Sequence, residues 1–235
     1  ATEPSTIEPN KTQRIILGVL LGLGLAYGYL YLINMMDQSI KSVEQAEKVL
    51  QLPVLAAVPV SEINGKPTGS RLVMIESPNS TCSEAFRSLR VNIESMTRKK
   101  SHKVVLFTSS LPSEGKTFTS INYASSLAQQ GHRTLLIDMD LRKPAVGPEF
   151  KLGDEYVGVS DLLQSEDNLK QFPDLAIYEA AEKLFVLHGG SHISNPSEHI
   201  SGSAIEELIL KARQNFDRIV IDSAPLGPIG DTLSV

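Results

Sequence analysis

Apolar residues run without a charge from Ile15 to Ile33, "IILGVLLGLGLAYGYLYLI". Roughly nineteen helical residues match the ~30 Å of hydrocarbon in a bilayer. Residues 14–36 are therefore expected to form one transmembrane helix. Tyr27, Tyr29 and Tyr31 cluster near its end, where amphipathic rings suit the headgroup boundary. Gly18 with Gly22 and Gly24 with Gly28 give G-x-x-x-G spacings. These spacings fit close helix–helix approach, or simply the abundance of glycine in membrane helices. The stretch is long for a signal peptide, and no small-residue cleavage site follows before "MMDQSIKS".

Beyond the span the pattern changes. Ile40, Val43, Ala46, Val49 and Leu50 have amphipathic helical spacing. "LPVLAAVPV", framed by Pro53 and Pro59, reads as an extended strand, and "SEINGKPTGS" as a loop. "SEAFRSLRVNIESM" reads as a helix capped by Ser83 or Ser80. From Lys103 onward, short apolar runs alternate with helical stretches. The expected strands are "VVLFTS", "TLLIDMD", "LFVLHGG" and "RIVIDSA", and the expected helices are Lys116–Gln130 and Ala204–Asn215. Near-continuous apolar strands separated by helices imply an α/β fold, a mostly parallel sheet covered on both faces.

One junction in that alternation carries chemistry. "SSLPSEGKTFTSIN" turns the strand "VVLFT" into a helix. A helix start offers unpaired N–H groups and the positive end of the helix dipole, so it suits phosphate. Gly115 lets the backbone approach phosphate oxygens, Lys116 can reach the β- and γ-phosphates, and the Thr117 hydroxyl can bind Mg²⁺. Gly-Lys-Thr alone is a common tripeptide; its place between strand and helix gives it meaning. "LLIDMDLRKP" and "RIVIDSAP" put Asp138, Asp140 and Asp222 at the carboxyl ends of two further strands, where open parallel sheets bind ligands. Each aspartate alone could be a strand-end cap. Together they can support Mg²⁺ and accept a proton from an attacking hydroxyl.

Composition narrows the alternatives. Apolar residues make up 41% and charged residues 21%, enough for a core. A formal net charge of −5 provides no basic field for nucleic acid. The single cysteine, Cys82, excludes an internal disulfide and reads as a small buried residue. His102, His132, His188, His192 and His199 show no metal-ligand spacing. Lys11 and Arg14 precede the span, and Lys41 and Lys48 follow it, so charge does not set its orientation.

These motifs give the chain a resemblance to the bacterial tyrosine kinases linked to polysaccharide co-polymerases of exopolysaccharide export. "PSEGKT" resembles that family's Walker A loop, which accepts a residue such as Ser110 in place of the first glycine. "LLIDMDLR" resembles its Walker A′ motif and "IVIDSAP" its Walker B. "EAFRSLR" matches its E-x-x-R-x-x-R motif through Glu84, Arg87 and Arg90, and "GVSDLL" and "ISNPSEHISG" are similar to segments between A′ and B. The span followed by "LPVLAAVP" resembles the join between the second membrane helix and the kinase domain.

The resemblance implies a P-loop kinase domain that uses ATP and Mg²⁺. Ser110, Ser113, Glu114, Gly115, Lys116, Thr117 and Phe118 would cradle the nucleotide. Thr117, Asp138, Asp140 and Asp222 would position the metal, with Asp138 favoured as base and Arg142 stabilising phosphate charge. Glu84, Arg87 and Arg90 would join subunits into a ring, although on their own they read as a self-paired helix face. Partners would be further copies, the polysaccharide polymerase and export machinery, the membrane and a tyrosine phosphatase, with no nucleic acid. ATP chemistry would place residues 37–235 in the cytoplasm, on the inner face of a bacterial plasma membrane.

The expected organisation is an external tail (1–13), the span (14–36), a cytoplasmic linker (37–60) and the kinase domain (61–235). The family continues past Walker B with further strands and a tyrosine-rich tail. The chain therefore reads as a fragment of a longer protein, with one side of its sheet uncovered. Two other readings remain at this point: an ATP-binding module that regulates polysaccharide chain length without transferring phosphate, and a partition-type ATPase. Leu111, where that last class carries a lysine, and the span weigh against the ATPase.

Overall fold

In the computed structural model, the described residues are 11–37, 39–60, 62–63, 66–67, 69–97, 103–153, 155–174, 176–191 and 202–226. "ISNPSEHISG" apart from its final glycine, together with His102, His192 and His199, lies outside them. The chain divides into two compact units, residues 1–54 and 55–235.

The first unit holds helix α1 (Lys11–Met36) and helix α2 (Val43–Leu50). α1 runs for 26 residues, about 39 Å at 1.5 Å per residue, with no buried side chain. It is long and apolar enough to cross a membrane. The Ser42 hydroxyl caps α2 by accepting from Gln45 N, and Gln51 ends it in the left-handed region.

The second unit is built on a five-stranded sheet. Its strands are β3 (Val104–Phe107), β4 (Thr134–Asp138), β5 (Tyr178–Ala181), β6 (Leu184–Leu187) and β7 (Arg218–Asp222), in the order β3-β7-β4-β6-β5. β3, β7, β4 and β6 run parallel, while β5 pairs antiparallel with β6. A separate two-stranded ribbon pairs β1 (Glu62–Ile63) with β2 (Lys66–Pro67).

Side chains that alternate along the strands feed two cores. Leu135 and Ile137 of β4 join Ile219 and Ile221 on one face, beneath helix α9 (Ser203–Asn215) and the short helices α7 (Val159–Gln164) and α8 (Glu166–Lys170). Leu136 and Val220 face the other core, with α5 (Lys116–Gln129), α4 (Thr81–Thr97) and α3 (Val73–Glu76). Both faces of β4 are thus buried, which is why its sequence is apolar without a polar alternate.

α5 buries ten of its residues, including Ser120, Asn122, Ser125 and Ser126. The serine hydroxyls donate back to Thr117, Ile121 and Tyr123 carbonyls, so their burial leaves no donor unpaired. Asn122 donates to the Arg71 and Phe118 carbonyls at 2.7 and 2.8 Å and accepts from Met74 N at 2.9 Å. It ties the segment ahead of α4 to the middle of α5.

Several expectations are revised. "LPVLAAVPV" forms no strand: Leu55, Ala56 and Val58 pack onto the second core as irregular chain, and Leu55 O accepts from Asn92 Nδ2 at 2.6 Å. Pro53 and Pro59 supply no N–H, so the segment is a poor ladder partner. The cap of α4 is Ser80, whose hydroxyl accepts from Ser83 N, while Ser83 itself is buried inside the helix. β5 went unread because its residues, Tyr-Glu-Ala-Ala, lack a clear apolar alternation. Cys82 is buried, as its type suggests, and burial pushes its thiol pKa up.

Candidate functional site

The site forms where β3, β4 and β7 end together. β3 leads through Thr108–Glu114 into α5 at Lys116. Thr108 and Ser223 pin that loop to the end of β7: the Thr108 hydroxyl donates to Ala224 O and the Ser223 hydroxyl to Phe107 O, both at 3.0 Å. The Glu114 carboxylate closes the loop on itself by accepting from Ser110 N at 2.9 Å and Leu111 N at 3.0 Å. Sequence reading assigned Glu114 to the cradle but did not foresee this brace. Ser110 can replace glycine because its backbone amide, not its side chain, does the work.

Gly115 sits at φ +86° as the residue before the helix, and no side chain caps α5. A Cβ on Gly115 would meet nothing within 4 Å. The left-handed backbone, not crowding, is therefore what calls for glycine here. Ser113 adopts φ +67° as well. The uncapped first turn leaves its N–H groups available to an anion.

The loop borders a cavity of about 340 Å³ lined by Pro112, Ser113, Gly115, Lys116, Thr117 and Phe118 from the loop and first helical turn. Asp140, Arg142, Lys143 and Ala145 line it from the turn after β4, Pro225 from the end of β7, and Arg71 from the segment ahead of α3. Four cationic side chains thus face one carboxylate, a balance suited to a polyanion. Lys116 Nζ lies 2.9 Å from Asp140 Oδ2, and both side chains are about nine-tenths buried. Asp140 Oδ1 accepts from Lys143 N at 3.2 Å.

Asp138 and Asp222 stand directly opposite one another in the β4–β7 register. Both are fully buried, and their surroundings differ. Asp138 Oδ2 accepts from Ala145 N and Val146 N, each at 2.9 Å, and Oδ1 accepts from Asp140 N at 3.1 Å. These bonds shape the turn and start the short helix α6 (Val146–Glu149). Burial, reinforced by the Asp222 charge, pushes the Asp138 pKa up to about 7 against the pull of those N–H groups. Asp138 does not line the cavity.

Neither oxygen of Asp222 has a partner within good hydrogen-bond geometry, although the Thr117 and Ser120 hydroxyls lie close enough to pull its pKa down. The nearby Ser120 hydroxyl turns away to Thr117 O at 3.0 Å. Burial raises the Asp222 pKa, and Asp140 adds to this, outweighing the lowering effect of Thr117, Lys116 and Ser120. A buried, unpartnered carboxylate beside the Thr117 hydroxyl fits a site completed by a hydrated Mg²⁺. Among the described residues no group of His, Cys, Asp and Glu makes a metal cage by itself.

Of the residues expected at the site, Ser113, Gly115, Lys116, Thr117, Phe118, Asp140 and Arg142 line one cavity. Ser110 and Glu114 brace its loop, Asp222 lies beneath it, and Asp138 holds the neighbouring turn. Arg71 and Lys143 were missed. Lys143 belongs to a motif already in view, whereas Arg71 is distant in sequence and carries no motif of its own.

The three residues of the E-x-x-R-x-x-R motif are engaged within the chain. Arg87 pairs with Glu84 and donates to Pro78 O at 2.7 Å, and Arg90 donates to Ser126 O of α5 at 2.7 Å. Glu84 remains the exposed member, its side chain 65% accessible.

Comparison with known proteins adds sequence and fold. A family model described as an AAA domain matches residues 103–229. The chain is 36% identical over 171 residues to the tyrosine-protein kinase YwqD of Bacillus subtilis, covering 71% of this chain and 70% of that protein. It is 30% identical over 243 residues to the tyrosine-protein kinase ptk of Acinetobacter johnsonii, covering 100% of this chain and 33% of the relative. The chain thus spans about a third of the length of that longer relative. Among solved structures, the chimerical protein CapA2B2 is 32% identical with a TM-score of 0.69, covering 81% of this chain and 78% of that one. The kinase domain of the Escherichia coli tyrosine kinase ETK is 25% identical with a TM-score of 0.74, covering 84% and 78%.

Proposed function

This chain belongs to the bacterial tyrosine-protein kinase family, and from that premise we propose that it transfers the γ-phosphoryl group of ATP to a tyrosine hydroxyl. The observation that carries the proposal is the Lys116–Asp140 pair at the uncapped head of α5, above the unpartnered Asp222 carboxylate.

The N–H groups of the loop and first turn of α5 bind the phosphate chain, and Lys116 turns from Asp140 to the phosphate oxygens. Arg142 and Lys143 neutralise charge spreading onto the transferring group. Thr117 and Asp222 would hold Mg²⁺. When bound, the ion neutralises phosphate charge and helps to align it. Asp140, the cavity-facing carboxylate, is freed once Lys116 moves and accepts the tyrosine hydroxyl proton. Asp138 holds the turn that presents Asp140, Arg142 and Lys143. This reassigns the base from Asp138, whose oxygens are occupied by backbone N–H groups.

As the wider setting of this reaction, α1 anchors the chain in the bacterial plasma membrane with the nucleotide site in the cytoplasm, where ATP is supplied. The chain assembles with further copies through Glu84 and its neighbours, and acts on exopolysaccharide or capsule polymerisation and export.

The test is incubation of the membrane-reconstituted chain with γ-labelled ATP, Mg²⁺ and a glutamate–tyrosine copolymer. Label on tyrosine, lost with Lys116→Met, is the expected outcome. ATP binding with no label on any tyrosine would instead favour the regulatory module that transfers nothing.

A further inference from the structure

The phosphate cavity has a wall that none of the nucleotide motifs supplies. Arg71 lies in the segment between the two-stranded ribbon and α3, yet it lines the 340 Å³ cavity together with Arg142 and Lys143. It also borders an adjoining cavity of about 430 Å³, which shares Gly115 and Phe118 with the first. Arg71 is thus shared by two hollows that both border the head of α5.

Its position is built. The Arg71 carbonyl accepts from Asn122 Nδ2 at 2.7 Å, and Asn122 is fully buried in α5. Asn122 Oδ1 and the Gln129 amide then hold Met74, so the segment is fastened along the helix that begins with the phosphate loop. The side chain is less confined. It is 47% accessible and pairs at 3.1 Å with Glu149, whose own side chain is 24% accessible. An exchangeable ion pair of this kind contributes little to stability. A backbone anchored to the phosphate-binding helix, with a half-exposed guanidinium on a residue that lines its cavity, suits a ligand contact better than a structural brace.

Glu149 ties this arginine to the rest of the site. It closes α6, whose first N–H groups are held by Asp138. One four-residue helix therefore has Asp138 at its start and the parking place of Arg71 at its end.

We propose that Arg71 is a nucleotide-contacting residue, one that exchanges its Glu149 partner for the phosphate chain when nucleotide binds. A planar guanidinium gives the phosphate two parallel charge-assisted hydrogen bonds, which a lysine cannot reproduce. The inference rests on the nucleotide-binding reading above but not on phosphoryl transfer.

The experiment is titration of the full chain, in lipid nanodiscs, with a fluorescent ATP analogue and Mg²⁺, alongside thermal melts without nucleotide. Arg71→Ala should weaken binding by about 10–100-fold, with Arg71→Lys recovering part of the loss and the melting temperature nearly unchanged. Glu149→Gln removes the competing partner, so its affinity should equal or exceed that of the wild type. If Arg71→Ala and Glu149→Gln lower the melting temperature alike and leave affinity untouched, the pair is only a structural brace and the proposal is overturned. A wild-type chain that binds no nucleotide would end the functional reading, and this proposal with it.

Discussion

The turn after β4 and the end of β7 present the same residue in the same register, and treat it in opposite ways. Asp138 accepts three backbone N–H groups, whereas Asp222 accepts none and has only the Thr117 and Ser120 hydroxyls nearby. Both carboxylates are removed from water and both have raised pKa values. The difference lies in what satisfies the charge. A carboxylate ringed by its own turn is an internal cap, which fixes a loop and has little capacity left. A buried carboxylate without donors is costly in isolation, and is tolerable where a cation completes it. Strand-end aspartates next to a phosphate loop therefore divide into holders and receivers, and the count of donors tells them apart.

The largest expected effect comes from removing the group between the two regions. Lys116→Met should lower phosphoryl transfer by about 10²–10³-fold, measured by label transfer. It also strips Asp140 of its partner while leaving both strand-end carboxylates in place.

The next test is pH. The folded pKa of Asp138, about 7, lies above the ordinary aspartate value of 3.8. The fold therefore holds the proton more tightly than the unfolded chain does. The stability tied to that proton is present below pH ~4 and is lost as pH rises through ~7, on the order of 4 kcal/mol in all. Denaturant melts of wild type and Asp138→Asn should show the wild-type advantage shrinking over this interval. A gap independent of pH would mean that Asp138 does not retain its proton.

Asp138→Ala leaves three N–H groups without an acceptor. At pH 5 it should cost about 2–4 kcal/mol in urea unfolding. A loss below 1 kcal/mol would show that water replaces the carboxylate and that the turn is not held as described. The smallest effect should come from Asp222→Asn, which replaces an unpaired buried charge with a neutral amide. In the absence of nucleotide its stability should rise by about 1–2 kcal/mol. A destabilised variant would mean that the Thr117 and Ser120 hydroxyls and Lys116 already satisfy the carboxylate.

Much of this was legible in the sequence because the signals were local. The strands of the parallel sheet fell where apolar runs stood, since both sheet faces are covered and no polar alternate interrupts them. Lys116, Thr117 and Asp140 came together because a strand-to-helix junction and a neighbouring strand end fix their positions through the backbone. What stayed hidden depended on tertiary contacts. The donors that occupy Asp138 come from Asp140, Ala145 and Val146, and no spacing rule reports which way that turn will fold. Arg71 reaches the cavity only because a buried asparagine in α5 fastens its segment there. Leu52 to Val60 read as a strand by residue type but found no ladder to join. Arg90 looked like a surface charge until α4 was seen to lie on α5.

The most direct test of the distinction between the two aspartates is the Mg²⁺ dependence of ATP affinity in wild type, Asp222→Asn and Asp138→Asn, read by equilibrium titration. Mg²⁺ should tighten ATP binding in the wild type and in Asp138→Asn, and should do so little or not at all in Asp222→Asn. Enhancement that survives in Asp222→Asn and vanishes in Asp138→Asn would reverse the two roles and contradict the account.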